Sequence, residues 1–190
     1  MPFGRPKKQS DPLDEAALHE YAVKSLGRRM RSVSELRRLM QAKVERPGPN
    51  GDTGAAKIDR VIARLKEYGY LDDKSFAENY TQLRQQNEKF GQRRVSQELS
   101  RKGIARQTIT ETIDSKYAEI SEETLARQHL ERKRIRKPEN EKESARVVRR
   151  LVTAGFSIGV IYKILREWDI PEEALIGLES LESDPTEDAE

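Results

Sequence analysis

The sequence predicts an all-α protein made of tandem three-helix modules, with about nine helices in an elongated, curved array. Apolar residues recur three and four positions apart between turn residues, and no segment alternates with period two for long enough to form a strand. Hydrophobic residues make up 35% of the chain and charged residues 36%. Because this composition cannot fill one large core, it favours several small ones.

The stretch of residues 71–118 shows this pattern most clearly and predicts three short helices. Asp72 is expected to cap the first of them, with Leu71 and Phe76 forming a hydrophobic staple across its start. Helices of this length are marginal in water alone, so we expect the three to share one core, which also takes Tyr70 and Phe76. The apolar positions are Phe76, Ala77, Tyr80 and Leu83 in the first helix, Val95 and Leu99 in the second, and Ile109, Ile113 and Tyr117 in the third.

Residues 11–70 predict a module of the same kind with a long internal loop. Asp11 as N-cap and Pro12 in the first turn predict where its first helix begins. The capping box Ser32–Glu35 begins the second helix, and the glycines and prolines of residues 45–54 predict a flexible loop before the third. The inward positions are Leu18, Tyr21, Ala22, Ser25 and Leu26, then Leu36, Leu39 and Met40, then Ile58, Val61, Ile62, Leu65 and Tyr68.

Residues 119–170 predict a third module. Ser121 is expected to cap its first helix, which continues towards Ile135 until Pro138 breaks it. Ser157 is expected to cap its last helix. The inward positions are Leu125, Ala126 and Leu130, then Ala145, Val148, Leu151 and Val152, then Ile161, Ile164, Leu165 and Trp168.

An internal repeat connects the second and third modules. Residues 102–109 align with residues 154–161, an offset of 52 positions. At the same offset two pairs of apolar residues coincide, Leu99 with Leu151 and Ile113 with Leu165. Repeats that cannot bury an apolar face alone stack on their neighbours, which predicts an array of modules.

The charges are distributed unevenly along the chain. The net charge is +3, but the last twenty residues, 171–190, hold eight acidic residues and no lysine or arginine, so residues 1–170 carry about +11. We expect residues 1–10 to be a disordered arm and residues 171–190 an acidic flexible tail. A basic body predicts a polyanionic or acidic partner, and removal of the tail is predicted to strengthen anion binding.

The sequence offers little for catalysis, so we expect a protein that is not an enzyme and has no cofactor. It contains no cysteine, and its two histidines, His19 and His129, are interpreted as surface or half-buried structural residues. The loop Gly48–Lys57 lacks the lysine spacing of a phosphate-binding loop. No apolar run approaches the roughly 18 residues of a membrane span, and no secretory signal is apparent, so a cytoplasmic protein is expected.

Three clusters of basic residues are the candidate binding surface for a partner or nucleic acid. Arginine can bridge phosphate or carboxylate groups with two parallel hydrogen bonds. Each cluster taken alone is also compatible with a solvated helix face. The candidates are Arg28, Arg29, Arg31, Arg37 and Arg38 in the first, Lys89, Arg93, Arg94, Arg101 and Lys102 in the second, and Arg132, Lys133, Arg134, Arg136, Arg146, Arg149 and Arg150 in the third.

The chain resembles the RecX family of regulatory proteins over roughly Glu15–Trp168, more loosely in the third module. In the second module the matching residues are Gly69, Tyr70, Leu71, Asp72, Asp73, Phe76, Ala77, Tyr80, Arg84, Gly91, Arg93, Arg94, Glu98, Leu99, Lys102, Gly103 and Ile104. In the first module they are Ala22, Leu26, Arg28, Arg29, Arg31, Ser32, Glu35 and Leu36. The loop of residues 45–54 and the acidic tail depart from a minimal member.

The resemblance implies a bacterial cytoplasmic protein that modulates the RecA recombinase. Proteins of this family bind along the groove of RecA–DNA filaments and block strand exchange, ATP hydrolysis and the co-protease activity of the SOS response. The implied partners are RecA and the RecA–DNA filament, in homologous recombination and DNA repair, and a monomer is expected. Direct contact to single- or double-stranded DNA stays open at this point.

Two alternatives use the same residues differently. The first is a direct DNA-binding module without RecA specificity, whose affinity should fall steeply with salt. The second is a scaffold that binds protein helices, in which the basic residues only keep the protein soluble.

Overall fold

The structure, a computed structural model, describes residues 14–44, 54–168 and 170. This part of the chain contains no strand and is folded into nine α-helices and one π-helical turn. The α-helices are α1 Glu15–Arg28, α2 Val33–Val44, α3 Gly54–Glu67, α4 Asp73–Leu83, α5 Gln92–Arg101, α6 Arg106–Tyr117, α7 Glu122–Arg132, α8 Glu141–Thr153 and α9 Ile158–Glu167. The all-α class is therefore confirmed. The predicted arm of residues 1–10, the predicted loop up to residue 53 and the predicted acidic tail lie outside the described residues.

The described residues form two compact units. The first extends to Phe76 and includes Lys102–Ile104, and the second consists of Ala77–Arg101 and the residues from Ala105 onward. Division into three modules and an elongated, curved array remain predictions.

The first unit is built on α1, α2 and α3, each of which packs on the other two. Its buried apolar residues are Leu18, Ala22, Leu36, Met40, Ile58, Val61, Ile62, Leu65 and Leu71. The capping box is confirmed, since the Glu35 amide donates to the Ser32 hydroxyl (3.1 Å) and the Ser32 amide donates to the Glu35 carboxylate (3.4 Å). The predicted cap Asp11 is wrong, because α1 begins at Glu15 and the Asp14 carboxylate accepts a hydrogen bond from the Ala17 amide at 2.7 Å. Asp11 and Pro12 themselves lie outside the described residues.

Three residues predicted to face the core are exposed instead. Tyr68 is 55% exposed because α3 ends before it, and Tyr70 is 64% exposed on the far side of the left-handed turn at Gly69. Leu83 is 55% exposed, whereas Thr81 and Gln85 on either side of it are buried, so the inward face at the end of α4 and in the π-helical turn Arg84–Glu88 passes through those polar residues. Phe76, in contrast, is buried as predicted.

In the second unit α5 packs on α6, and α9 packs on both α7 and α8. The internal repeat is visible in equivalent positions. Leu99 and Leu151 are both fully buried, and the glycines that follow their helices, Gly103 and Gly155, both have positive φ angles (75° and 89°). Glycine adopts this left-handed conformation without steric cost, which explains its use at both helix ends.

Three details of the predicted third module differ from the structure. Helix α7 ends at Arg132, well before Pro138. The chain leaves the helix there because Arg134 adopts a left-handed conformation and the Ile135 amide donates a hydrogen bond to the Leu130 carbonyl at 2.9 Å. In α8 the buried residues include Ser144, Val147 and Val148. Ala145 and Val152, which were predicted to face the core, are only half-buried. Ser157 does precede α9, but its hydroxyl donates to the Glu122 carboxylate (2.7 Å) and caps nothing.

Candidate anion-binding site

A network of polar side chains fixes the start of α5 in the second unit, and Glu98 is its centre. The Tyr80 hydroxyl donates to Glu98 at 2.7 Å, and the guanidinium groups of Arg84 and Arg94 pair with the same carboxylate at 2.9 and 3.1 Å. Burial alone would raise the pKa of Glu98, but the hydrogen bonds from Tyr80 and Arg94 and the two arginine charges lower it. Glu98 is therefore held as a carboxylate.

Arg94 connects this network to the end of α8. Its guanidinium lies 3.9 Å from the centre of the Phe90 ring, a cation–π contact, and donates to the Thr153 carbonyl at 2.9 Å. The next carbonyl, of Ala154, accepts a hydrogen bond from the Gly91 amide at 2.9 Å. Arg94 thus has a structural role in addition to the binding role predicted for it.

These contacts form one wall of a cavity of about 570 Å³ that lies wholly within the second unit. Among the residues that the structure describes, five cationic side chains and no carboxylate line it. The cationic residues are Arg94, Lys133, Arg146, Arg149 and Arg150. All five were predicted from the sequence as binding residues, and the structure brings them together.

Three of these cations, Arg146, Arg149 and Arg150, lie on α8 with one-turn spacing and are exposed. Within the described residues, none of the three has a hydrogen bond or ion pair through its side chain. Arg94 and Lys133 each pair with a glutamate, the latter with Glu88 at 3.0 Å, but neither glutamate lines the cavity. The cavity therefore has an excess of positive charge.

His129 also lines the cavity, although the sequence predicted a surface or half-buried position. It is only 4% exposed, lies between the rings of Phe90 and Phe156, and its Nδ1 is 2.9 Å from the Glu88 carbonyl. Burial lowers the pKa of His129, and the charges of nearby cations lower it further. Its helical spacing from Leu125, which is buried, was the signal that could have revealed this position.

The first predicted cluster contains both exposed and engaged side chains. Arg28, Arg29 and Arg38 are exposed. Arg31 donates to the Ser25 carbonyl at 3.4 Å, and Arg37 pairs with Asp59 at 2.5 Å. The exposed members are the ones accessible to a partner.

The remaining predicted cations lie outside the cavity. Lys102, in the first unit, pairs with Glu35 at 2.7 Å and lies 5.7 Å from the centre of the Phe76 ring. Lys89 is half-buried with a positive φ angle of 55° at the end of the π-helical turn. The exposed ones are Arg93, Arg101, Arg132, Arg134 and Arg136.

The adjacent acids Asp72 and Asp73 have structural roles. Asp72 accepts hydrogen bonds from the amides of Lys74 and Ser75 and caps α4, as predicted. Asp73 accepts from the Val33 amide at 2.8 Å and so satisfies the start of α2, a contact that the sequence did not predict. Both carboxylates are thus used by helix ends.

The described residues contain no cluster of three or more histidine, cysteine or acidic side chains suited to a metal ion. Among those residues no helix has both the length and the apolar character of a membrane span. The repeated short helices and the cation-lined cavity define the class of this protein, a small all-helical protein with a concentration of positive charge at one cavity.

Comparison with known proteins gives this class a family. The family profile described as RecX, second three-helix domain, matches residues 72–113. A protein named Regulatory protein RecX from Salmonella newport is 35% identical over 158 residues, which span 80% of this chain and 92% of that protein. Its counterpart from Salmonella typhimurium is 34% identical over the same shares of both chains. The chain belongs to the RecX family of regulatory proteins.

Solved structures of the same name share the fold. One crystal structure of regulatory protein RecX has a TM-score of 0.62 at 20% identity and covers 80% of this chain and 71% of its own. RecX from Lactobacillus salivarius has a TM-score of 0.60 at 20% identity and covers 82% and 96%. The resemblance seen in the sequence is therefore confirmed.

Proposed function

We propose that this protein is a non-enzymatic regulator that binds RecA or the RecA–DNA filament in the groove of the filament. It inhibits the recombinase, ATPase and co-protease activities and so acts in DNA repair and the SOS response. It works in the cytoplasm as a monomer without a cofactor.

The observation that carries this proposal is membership of the RecX family. It is supported by 35% sequence identity to a protein named Regulatory protein RecX, over 92% of the length of that protein. The exposed cations of both units add physical support, since a filament groove presents acidic protein surface and DNA phosphates. We assign the contacts to the candidate residues named above, with Arg94 and Lys102 acting mainly through the local structure that they stabilise.

The experiment that tests this function measures RecA-catalysed strand exchange and DNA-dependent ATP hydrolysis with the protein at stoichiometric amounts. Both rates are expected to fall. Annealing of the same complementary strands without RecA serves as the control and should slow much less than strand exchange does. Unchanged strand exchange and ATPase rates would refute the proposal.

A direct DNA-binding module without RecA specificity is the second candidate, favoured by the cation-lined cavity. It predicts that annealing without RecA slows as much as strand exchange does. It also predicts equal affinity for bare DNA and for the filament, with the same steep dependence on salt.

A further inference from the structure

We propose that the cavity lined by Arg94, Arg146, Arg149 and Arg150 binds consecutive phosphate groups, those of a single nucleic-acid strand or of a free polyphosphate chain. This inference deepens the proposed function by naming the ligand of one cationic surface, and it rests on that function only for its biological context. All residues that line this cavity belong to the second unit.

The shape of the cavity suits a ligand larger than one small ion. Its volume of about 570 Å³ lies within the range of about 300–1,000 Å³ that is usual for small-molecule sites. Two or three consecutive phosphate groups can therefore enter it together.

The charge of the cavity is available to a ligand. Arg146, Arg149 and Arg150 project from one face of α8, three and four residues apart, and have no ion-pair partner within the described residues. Three neighbouring guanidinium groups repel one another until an anion lies among them. A bound anion would relieve that repulsion as well as form new hydrogen bonds.

The number of donors favours phosphate over carboxylate. A guanidinium group has a planar fork of N–H donors, and a carboxylate offers such forks only two oxygen atoms that lie in one plane. Tetrahedral phosphate groups present oxygen atoms in several directions and can accept from three guanidinium groups at once. The three arginines of α8, with Arg94 beside them, fit this second pattern.

The end of α8 does not cancel this attraction. Carbonyl groups at a helix C-terminus carry partial negative charge and would repel a phosphate. Here the Thr153 carbonyl accepts from Arg94 and the Ala154 carbonyl accepts from the Gly91 amide, at 2.9 Å in each case. The carbonyls nearest the cavity are therefore already hydrogen-bonded.

The aromatic rings at the cavity do not offer a surface for base stacking. Phe90 is 7% exposed and His129 is 4% exposed, so neither presents an open ring face to a base. The site should therefore recognise the phosphate backbone and be indifferent to base sequence.

Binding is tested by calorimetry at low salt with three probes, a short oligothymidylate, tripolyphosphate and an oligoglutamate peptide of equal charge. The triple variant Arg146→Gln, Arg149→Gln, Arg150→Gln is expected to lose at least about tenfold in affinity for the two phosphate probes, because it removes the three guanidinium groups that α8 contributes to the cavity. The matched variant Arg106→Gln, Lys142→Gln, Lys163→Gln removes the same charge from exposed positions of this unit that neither line the cavity nor belong to the candidate binding residues. It should stay within about twofold of the wild type.

A second measurement follows the His129 ring by NMR, because an anion in the cavity should shift its resonances while those of His19 in the other unit stay unchanged. If oligothymidylate binds and tripolyphosphate binds only weakly, the phosphate groups recognised are those of a nucleic-acid strand. If both probes bind equally, any phosphate chain can occupy the cavity. Equal losses in the two triple variants, tighter binding of oligoglutamate, or no response of His129 would each overturn the inference. No RecA is present, so these results are independent of the test of the proposed function.

Discussion

The backbone of Gly91, just before α5, lies directly against the backbone of Gly155, just after α8. A Cβ atom built at Gly91 would be 2.3 Å from the Gly155 carbonyl oxygen, closer than any real contact. The Gly91 amide also donates to the Ala154 carbonyl. This close approach places Arg94 beside the end of α8 and so forms one wall of the cation-lined cavity.

Substitution Gly155→Ala is expected to destabilise the second unit by about 2 kcal/mol or more. The position has a φ angle of 89°, which disfavours any residue with a Cβ, and the added atom would lie 2.3 Å from the Arg94 amide nitrogen. Gly159→Ala is the control, since its Cβ would meet nothing within 4 Å and alanine favours α9. Urea unfolding measures both free energies, and equal values for the two variants would contradict the predicted close contact.

Substitution Glu98→Gln is expected to cost about 2 kcal/mol of stability because it weakens hydrogen bonds and ion pairs to a mostly buried carboxylate. Thermal unfolding should show a melting temperature lower by about 5 °C. Glu119→Gln, at an exposed position, should leave the melting temperature almost unchanged. A Glu98 variant as stable as the wild type would show that the network with Tyr80 and Arg84 does not support the fold.

Substitution Asp73→Ala should lower stability by about 1 kcal/mol through loss of the hydrogen bond to the Val33 amide at the start of α2. Asp72→Ala should have a similar cost through α4. Hydrogen exchange separates the two effects, because the first variant should loosen amides of α2 and the second those of α4. Identical exchange patterns would be inconsistent with separate capping roles.

Stability should fall as the pH drops below about 6.5, the ordinary pKa of histidine. Burial lowers the pKa of folded His129, so in this window the unfolded chain binds a proton that the folded chain does not. Carboxylates with lowered pKa, such as Glu98, contribute a further loss only below about pH 4.5. Melting temperatures between pH 7 and 5 measure the effect. The variant His129→Gln should flatten the slope, whereas a slope equal to that of the wild type would exclude His129 as the cause.

Local signals predicted most of the fold. The capping box Ser32–Glu35, the cap Asp72 and the glycine after each repeated helix are patterns in which the interacting groups are a few residues apart. The exposure of Leu83 was missed because the buried positions on either side of it, Thr81 and Gln85, are polar, and the spacing of apolar residues does not reveal a face formed by polar ones.

The cavity could be predicted only in part. Its cations stood out as a charged group, but composition does not tell a paired cation from an unpaired one. Glu88 engages Lys133 from 45 positions away, and Asp59 engages Arg37 from 22 positions away, and only the tertiary structure shows these contacts. The burial of His129 likewise depends on Phe90 and Phe156, which come from distant parts of the sequence.

The most direct test of the proposed function is a salt-titrated binding assay that compares the RecA–DNA filament, free RecA and bare DNA. We expect the protein to bind the filament more tightly than either of the other two at every salt concentration, with affinity falling as salt rises. Equal affinity for bare DNA and filament, or affinity for the filament that does not respond to salt, would contradict the account.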